Sequence, residues 1–151
     1  MRKKILKRLR FDNNTIKQVI ALVKYHDFHI QTKVTENSIK EVLCEIGEDL
    51  FEKLLIVQEA DARGQNPKKL EGKLKDLEKR RAIYKDIVAK GDCYSIKDLA
   101  IDGKEIVSLG IKPGKEIGEL LDMALKHVMK YPNRNNKEYL LELIRQHKKN
   151  Q

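Results

Sequence analysis

Apolar residues recur every three or four positions along nearly the whole chain, a spacing that predicts α-helices. The first repeat covers residues 5–9, and a second covers residues 16–25. Between them stand Asp12 and two asparagines, residue types that end one helix and cap the next. Residues 26–34 break the pattern, although the stretch 30–34 is compatible with an extended segment.

Two further helices are predicted before the middle of the chain. Thr35 or Asn37 can cap the first of them, and Gly47 ends it, because glycine readily adopts the backbone of a C-terminal cap. The second begins directly afterwards and extends to about Gly64. The segment ADARGQNP, residues 60–67, then predicts a short turn into another helix.

That next helix is long, covering about residues 68–90, and the short turn predicts antiparallel packing against its predecessor. Arg81 interrupts its apolar side, so either this side meets water there or Arg81 reaches an acid such as Glu52 on the neighbouring helix. The residues predicted to form the buried side are Leu70, Leu74, Leu77, Tyr84 and Val88.

The last third of the chain contains shorter helices with explicit caps. Residue pairs 95/98 and 102/105 have capping-box spacing. Gly110 ends one helix, Pro113 begins the next, and Tyr131-Pro132 ends that one before a final helix. The sequence therefore predicts an all-α fold, a multi-helix bundle with a helix-turn-helix corner near the C-terminus.

Three segments are predicted from these patterns. Residues 1–34 form a helical N-terminal segment, residues 35–92 form a helical body with a long antiparallel helix pair, and residues 93–151 form a C-terminal helical tail.

The net charge of +9 is distributed unevenly. Residues 1–10 carry six bases and no acid, residues 67–90 carry nine bases and four acids, and residues 126–149 carry seven bases and two acids. Residues 35–61 are instead acidic. Such asymmetry is typical of proteins with a polyanionic partner, although lysines that only keep helix faces soluble give a similar pattern.

Cysteine usage and the N-terminal sequence indicate a reduced compartment. Cys44 and Cys93 lie far apart without a CxxC pair, so a zinc site is not expected. The basic start MRKKILKRLRF lacks an apolar run long enough for a signal peptide or a membrane span. We therefore expect a cytoplasmic protein with no membrane partner.

Residues 99–121 predict a corner that can bind phosphate. Gly110 ends one helix, Pro113-Gly114 opens the next, and the outward N–H groups at that opening attract anions. Lys112 and Lys115 flank the opening, and Lys104 lies on the preceding helix. The alternative is an ordinary helix–helix corner whose glycines serve only the turn.

The long helix offers a second candidate surface. Lys69, Lys73 and Arg80 form the basic strip predicted to face RNA, with a merely solvated face as the alternative. Arg63 can contact phosphate, or it can pair with Asp61 or with the end of its own helix.

Three segments of the chain resemble one protein family. They read CYSIKDLAIDGKEIVSLGIKPGKEIGELLDMAL at residues 93–125, ADARGQNP at 60–67 and LKRLRFDNNTIKQVIALVKYHD at 6–27. The first resembles a block in the C-terminal region of bacterial CCA-adding tRNA nucleotidyltransferases. The second resembles the segment before their long helix, and the third resembles the last helices of their HD-type domain.

This resemblance implies a role in adding CCA to tRNA 3′ ends. The full-length family enzymes use ATP, CTP and Mg²⁺, and their C-terminal helices hold the tRNA, particularly its elbow. It implies tRNA as the partner and leaves open a catalytic nucleotidyltransferase domain as a second partner. Because Met1 falls inside the region resembling the HD-type domain, we expect either a fragment or a stand-alone remnant.

The chain departs from the family where the chemistry takes place. Nucleotidyl transfer needs two metal ions on a strand-borne carboxylate pair beside a glycine-containing phosphate loop. Glu59 and Asp61 have the nearest spacing, but they lie in a predicted helix with no such loop before them. The sequence therefore predicts no catalytic residues, no metal site and no cofactor in this chain.

Two other function classes stay open. His26-Asp27 suggests the remnant of an HD-type metal-dependent phosphohydrolase, but no earlier histidine precedes the pair, and a helix end also favours histidine. A helical protein-interaction adaptor is the other, since residues 35–61 are acidic and the apolar side at 70–88 can recruit a partner helix.

Overall fold

The protein is all-α, as predicted. The computed structural model describes residues 2–27 and 34–149, and this part of the chain contains no β-strand. Most of the segment predicted as extended, residues 30–33, lies outside the described residues. The helices are α1 (Arg2–Arg8), α2 (Asn13–Tyr25), α3 (Glu36–Ile46), α4 (Glu48–Gly64), α5 (Leu70–Lys90), α6 (Gly103–Ser108), α7 (Lys115–Lys130) and α8 (Lys137–Lys149), with 3-10 turns at Pro67–Lys69, Ile96–Asp98 and Pro132–Arg134.

The chain forms two compact units, Met1–Asp86 and Ile87–Gln151. The division between them falls inside α5, so this helix contributes residues to both units. The division into three segments drawn from the sequence stays a prediction.

Local capping sets the helix ends of the N-terminal unit. The Asp12 side chain accepts hydrogen bonds from the backbone N–H groups of Asn14 and Thr15 at 2.9 and 3.0 Å, which starts α2. Thr35, rather than Asn37, caps α3 and forms a reciprocal capping box with Ser38. Gly47 ends α3 with a φ of 75°, as predicted.

Helix α4 packs against both α2 and α3 and is the centre of the N-terminal unit. Its buried residues repeat at helical spacing, which places one apolar face against the neighbouring helices. The buried apolar residues of this unit are Ile16, Ile39, Val42, Leu43, Phe51, Leu54, Leu55, Ala62, Leu77 and Tyr84.

The predicted buried side of α5 is confirmed in part. Leu77 and Tyr84 are buried as expected, but Ile87 is fully buried whereas Val88 is 39% exposed. Arg80, not Arg81, lies between the buried positions. Arg81 reaches an acid of the neighbouring helix, as one of the two alternatives predicted, but that acid is Glu59, at 2.6 Å, rather than Glu52.

Glu52, the acid first considered for Arg81, instead accepts a hydrogen bond from the Tyr84 hydroxyl at 3.1 Å. Burial and this carboxylate raise the pKa of Tyr84 to about 12, so the hydroxyl stays a donor at neutral pH.

The C-terminal unit has its own core and follows the predicted caps. Capping boxes form between Ser95 and Asp98 and between Asp102 and Glu105. Pro132 begins a 3-10 turn directly after α7. None of the described helices combines the length and apolar character needed to cross a membrane. The core of this unit contains Cys93, Leu99, Ile101, Ile106, Leu120, Ala124, Leu125, Val128, Met129, Leu140 and Ile144.

Candidate nucleic-acid interface

The corner between α6 and α7 begins with a strongly capped helix. The Asp102 carboxylate accepts hydrogen bonds from the N–H groups of Lys104 at 2.8 Å and Glu105 at 3.2 Å. The Glu105 carboxylate in turn accepts a hydrogen bond from the Asp102 N–H at 2.7 Å. It also forms an ion pair with Lys137 at 2.7 Å. Three backbone N–H groups at the start of α6, those of Asp102, Lys104 and Glu105, therefore already have acceptors.

Gly110 ends the corner's first helix in the left-handed conformation that the sequence predicted. Its φ is 85°, and its N–H donates to the Val107 carbonyl at 2.9 Å. This backbone is open to glycine at no steric cost. The reversal lets Leu109 and Ile111, on either side of Gly110, both pack against the core of the C-terminal unit.

The start of α7 differs from its predicted geometry. The helix was expected to begin at Pro113, but Gly114 is its N-cap, with a φ of 159° and a ψ of −164°, and the helix begins at Lys115. Within residues 2–27 and 34–149, no side chain caps this end of α7. Glu116, the acid in the first turn, is paired with Lys148, which offsets its charge. The Ile117 N–H already donates to the Gly114 carbonyl at 3.2 Å. The N–H groups of Lys115 and Glu116 have no acceptor among the described residues, so these two donors and the positive dipole end of a 16-residue helix are left for an external acceptor.

A close approach of the two helices, at a residue that the sequence analysis passed over, holds the corner together. A Cβ atom built on Gly103 would lie 3.3 Å from Cγ2 of Ile117. Ile106, three residues further along α6, is fully buried. A glycine inside a capping box is the only sequence signal of such close packing.

The three lysines of the corner differ in their surroundings. Lys104 and Lys112 are exposed, and neither has an ion-pair partner among the described residues. Lys115 pairs with Glu119 at 3.0 Å, but its side chain is 91% exposed. An ion pair in water is weak enough to exchange for a phosphate. The corner therefore presents positive charge together with uncapped backbone donors.

The basic strip predicted on α5 is only partly exposed to solvent. Lys69 is exposed, and Lys73 is half-buried and hydrogen-bonded to Gln65. Arg80 is buried, with 9% of its surface exposed, and its Nη1 donates to Gln58 Oε1 at 3.0 Å. The expectation that Arg80 lies on an exposed RNA-facing strip is corrected, because this residue belongs to the side of α5 that meets α4.

Arg80 lines an open pocket of about 160 Å³ in the N-terminal unit. Its Nε has no hydrogen-bond partner among the described residues, and burial lowers the pKa of its guanidinium while Asp76 opposes that effect. The pocket also contains His26, Asp61 and Lys73. It therefore combines charges of both signs.

The carboxylates with the nearest catalytic spacing are committed to other partners. Glu59 pairs with Arg63 at 2.8 Å and with Arg81, and the Arg63 hydrogen bond holds its pKa below the ordinary value. Asp61 accepts a hydrogen bond from Gln65 at 2.6 Å. Asp61 and the end of the helix were the two structural partners considered for Arg63, but its guanidinium pairs with Glu59, one helical turn before it.

His26 and Asp27 lie at the end of α2, where a histidine is favoured by the helix dipole. The His26 Nε2 lies 3.2 Å from the Asp27 carboxylate, and its Nδ1 lies 2.8 Å from the Val23 carbonyl oxygen. Among residues 2–27 and 34–149, no three His, Cys, Asp or Glu side chains form a group that could hold a metal ion.

A second cationic group of the C-terminal unit was not singled out from the sequence. Lys130 and Arg134 lie over the ring of Tyr131, directly after α7. The one tyrosine between two bases in KYPNR is the sequence signal that could have found this group.

The chain was compared with known proteins. Residues 2–144 match the family model described as tRNA nucleotidyltransferase domain 2, putative. Comparison with curated proteins and with solved structures gives no significant match. The family match covers nearly the whole chain and confirms the resemblance seen in its sequence. The chain belongs to the tRNA nucleotidyltransferase domain 2 family.

Proposed function

We propose that this chain is a tRNA-binding region that acts in CCA addition to tRNA 3′ ends. In this proposal it holds the RNA, while a catalytic nucleotidyltransferase domain supplies the chemistry with Mg²⁺, ATP and CTP. A cytoplasmic location follows from this role, since tRNA is processed there. The proposal rests on the family match together with one structural observation.

That observation is the uncapped start of α7 beside Lys112. A phosphate there would accept hydrogen bonds from backbone N–H groups, gain from the helix dipole and meet a lysine with no ion-pair partner among the described residues. Lys104 and Lys115 add charge on either side. Such contacts fix the position of an RNA backbone and carry no sequence information, which suits a region that must hold many tRNAs.

The first test is a filter-binding titration of the purified chain with tRNA at several salt concentrations. Phosphate contacts release counterions, so affinity should fall steeply as salt rises. With about six contacts, the loss between 50 and 200 mM salt should be on the order of 10³-fold. An affinity independent of salt, or no binding at low salt, contradicts the proposal.

The second test reverses charge at the corner. Lys112→Glu with Lys115→Glu should weaken tRNA binding and reduce the salt dependence, because favourable contacts at the helix start become repulsive. The matched control is Lys126→Glu with Lys149→Glu, which makes the same change at two exposed positions of the same unit. Equal losses in both variants would mean that only total charge matters and that the corner is an ordinary turn.

The chain alone should incorporate no nucleotide. Glu59 is already ion-paired on α4, and no phosphate loop precedes it in the sequence. Incubation of the purified chain with tRNA, Mg²⁺ and labelled CTP or ATP should leave the tRNA 3′ end unlabelled. Labelled tRNA would show that catalytic groups have been overlooked.

A helical protein-interaction adaptor is the second candidate. It is favoured by Ile56, which is 63% exposed on α4 within the acidic part of the chain, beside the 38% exposed Val57. Apolar contacts of this kind depend little on salt. A partner held through α4 should therefore be lost in Ile56→Asp and retained at high salt, the opposite of the behaviour expected for tRNA.

A further inference from the structure

The residues that follow α7 form a compact cluster of aromatic rings and cations. Tyr131 caps the end of α7, and its N–H donates to the His127 carbonyl at 2.9 Å. Pro132 excludes a helical backbone at the preceding residue, which turns Tyr131 away from the helix axis. The 3-10 turn then returns Arg134 to the Tyr131 ring, with the guanidinium carbon 4.5 Å from the ring centroid.

Hydrogen bonds hold Arg134 in this position. Its Nη1 donates to the Tyr139 hydroxyl at 3.0 Å and lies 3.3 Å from His127 Nε2. The Tyr139 hydroxyl lies 3.0 Å from the same His127 nitrogen, and the two rings stack with centroids 5.6 Å apart. The guanidinium is therefore ordered before any ligand arrives, which lowers the entropic cost of using it in binding.

The charge of this cluster is not compensated. Arg134 and Lys130 are both exposed, and neither has an ion-pair partner among the described residues. Burial first, and then the charges of these two cations, lower the pKa of His127. An exposed arginine and lysine beside an aromatic ring without a carboxylate partner match the chemistry of a nucleic acid, which offers phosphates and flat π-faces together.

Tyr131 provides a surface on which a base can stack. Tyr131 is 40% exposed, whereas Tyr139 and His127 are half-buried, and the centroid of the His127 ring lies 5.1 Å from that of the Tyr131 ring. We propose that Tyr131 and Arg134 form a stacking platform for an unpaired RNA base, with Lys130 at a flanking phosphate. The platform rests on the proposed tRNA-binding function and adds to it, because the α7 corner contacts only phosphate whereas the platform selects unpaired nucleotides.

The test uses a single-stranded RNA of about ten nucleotides with one 2-aminopurine, a length within the usual range for stacking sites. The chain has no tryptophan, so the fluorescence of 2-aminopurine is observed without interference. Binding to the native chain should quench this fluorescence. Tyr131→Leu, which keeps apolar bulk and removes the aromatic face, should lower affinity by about tenfold.

Tyr131→Phe is the matched control, since it keeps the ring, and it should bind within about twofold of the native chain. Thermal melting of both variants shows whether they fold. If Tyr131→Leu does not fold, Lys130→Gln replaces it, and the salt dependence of binding should decrease by about one phosphate contact. Unchanged affinity in folded Tyr131→Leu, an unchanged salt dependence in Lys130→Gln, or no quenching with the native chain would overturn the platform.

Measuring tRNA in parallel separates this proposal from the one it rests on. If tRNA binds in a salt-dependent way and single-stranded RNA binding is insensitive to Tyr131, only the platform fails. If tRNA does not bind, the proposed function fails, and a Tyr131-dependent affinity for single-stranded RNA would still establish the platform.

Discussion

Arg80 donates a 3.0 Å hydrogen bond from Nη1 to Oε1 of Gln58 in the interior of the N-terminal unit. Gln58 also forms a second hydrogen bond, in which its Nε2 donates to the backbone carbonyl of His26 at 3.0 Å. The three residues connect α5, α4 and the end of α2. A cationic side chain thus helps to fix how these helices pack, at a buried position where a helix usually has an apolar residue.

We predict that Arg80→Ala destabilises the protein. The change removes buried side-chain contacts and leaves the Gln58 oxygen without its donor, so the free energy of unfolding should fall by about 2 kcal/mol or more. Lys69→Ala removes a base from an exposed position of the same predicted strip and should change it by less than about 0.5 kcal/mol. Urea denaturation of both variants measures these free energies. Equally small effects in the two variants would contradict the burial of Arg80.

A pair of glycine substitutions tests the backbone of the corner. Gly110 has a φ of 85°, whereas Gly118 lies inside α7, and no atom stands within 4 Å of a Cβ built on either. Gly110→Ala should therefore destabilise the protein by about 1–2 kcal/mol through the left-handed backbone alone. Gly118→Ala should stabilise it by about 0.5–1 kcal/mol, because glycine is a poor helix former. Thermal melting showing the same sign for both changes would contradict this interpretation.

The capping box of α6 can be tested in the same way. Asp102→Ala removes the acceptor for two backbone N–H groups and should lower the free energy of unfolding by about 1 kcal/mol. Asp122 is an exposed acid in the middle of α7, so Asp122→Ala should change it by less than about 0.5 kcal/mol. If the two changes cost the same, the cap contributes nothing beyond the loss of a charge.

The stability of the C-terminal unit should depend on the protonation of His127. Burial first, and then Arg134 and Lys130, lower the pKa of His127 in the folded protein from its ordinary value of 6.5. The unfolded chain therefore binds this proton at a higher pH than the folded chain. The contribution of neutral His127 is fully present above about pH 6.5 and is lost as the pH falls through the lower folded-state pKa.

We expect an NMR titration to give His127 a pKa below 6.5, and we expect melting temperatures to fall between about pH 7.5 and pH 5.5. His127→Asn removes the titrating group, so the difference between its melting curves at the two pH values should be smaller. A pKa above 6.5 for His127 would instead mean that the protonated form is stabilised, which the two neighbouring cations do not allow.

The family was predictable from the sequence because the residues that carry the resemblance act on their immediate neighbours in the chain. The block at 93–125 is recognisable because two capping boxes, a left-handed glycine and a proline at a turn each constrain a few adjacent positions. The contacts of the proposed stacking platform are harder to predict from the sequence. Tyr131, Arg134 and Tyr139 meet only after a proline turn brings α8 back towards the end of α7.

Most helix ends, with the start of α7 as an exception, were predictable from the sequence, because a cap is made by groups three or four residues apart. Asp12, Thr35, Gly47, Asp102 and Gly110 all lie where their side chains or backbone freedom predicted. The buried side of α5, by contrast, depends on packing against a distant part of the chain. Arg80 and Arg81 both lie one turn from Leu77 and Tyr84, so helical spacing does not separate them.

Contacts with the neighbouring helix α4 determine which of the two arginines is buried. This helix presents the neutral amide of Gln58 at the buried position and the carboxylate of Glu59 at the more exposed one. An arginine that can satisfy its hydrogen bond through an amide enters the interior, and the arginine that meets a carboxylate stays in partial contact with water. This distinction depends on a helix 22 residues away in the sequence, and no local pattern contains it.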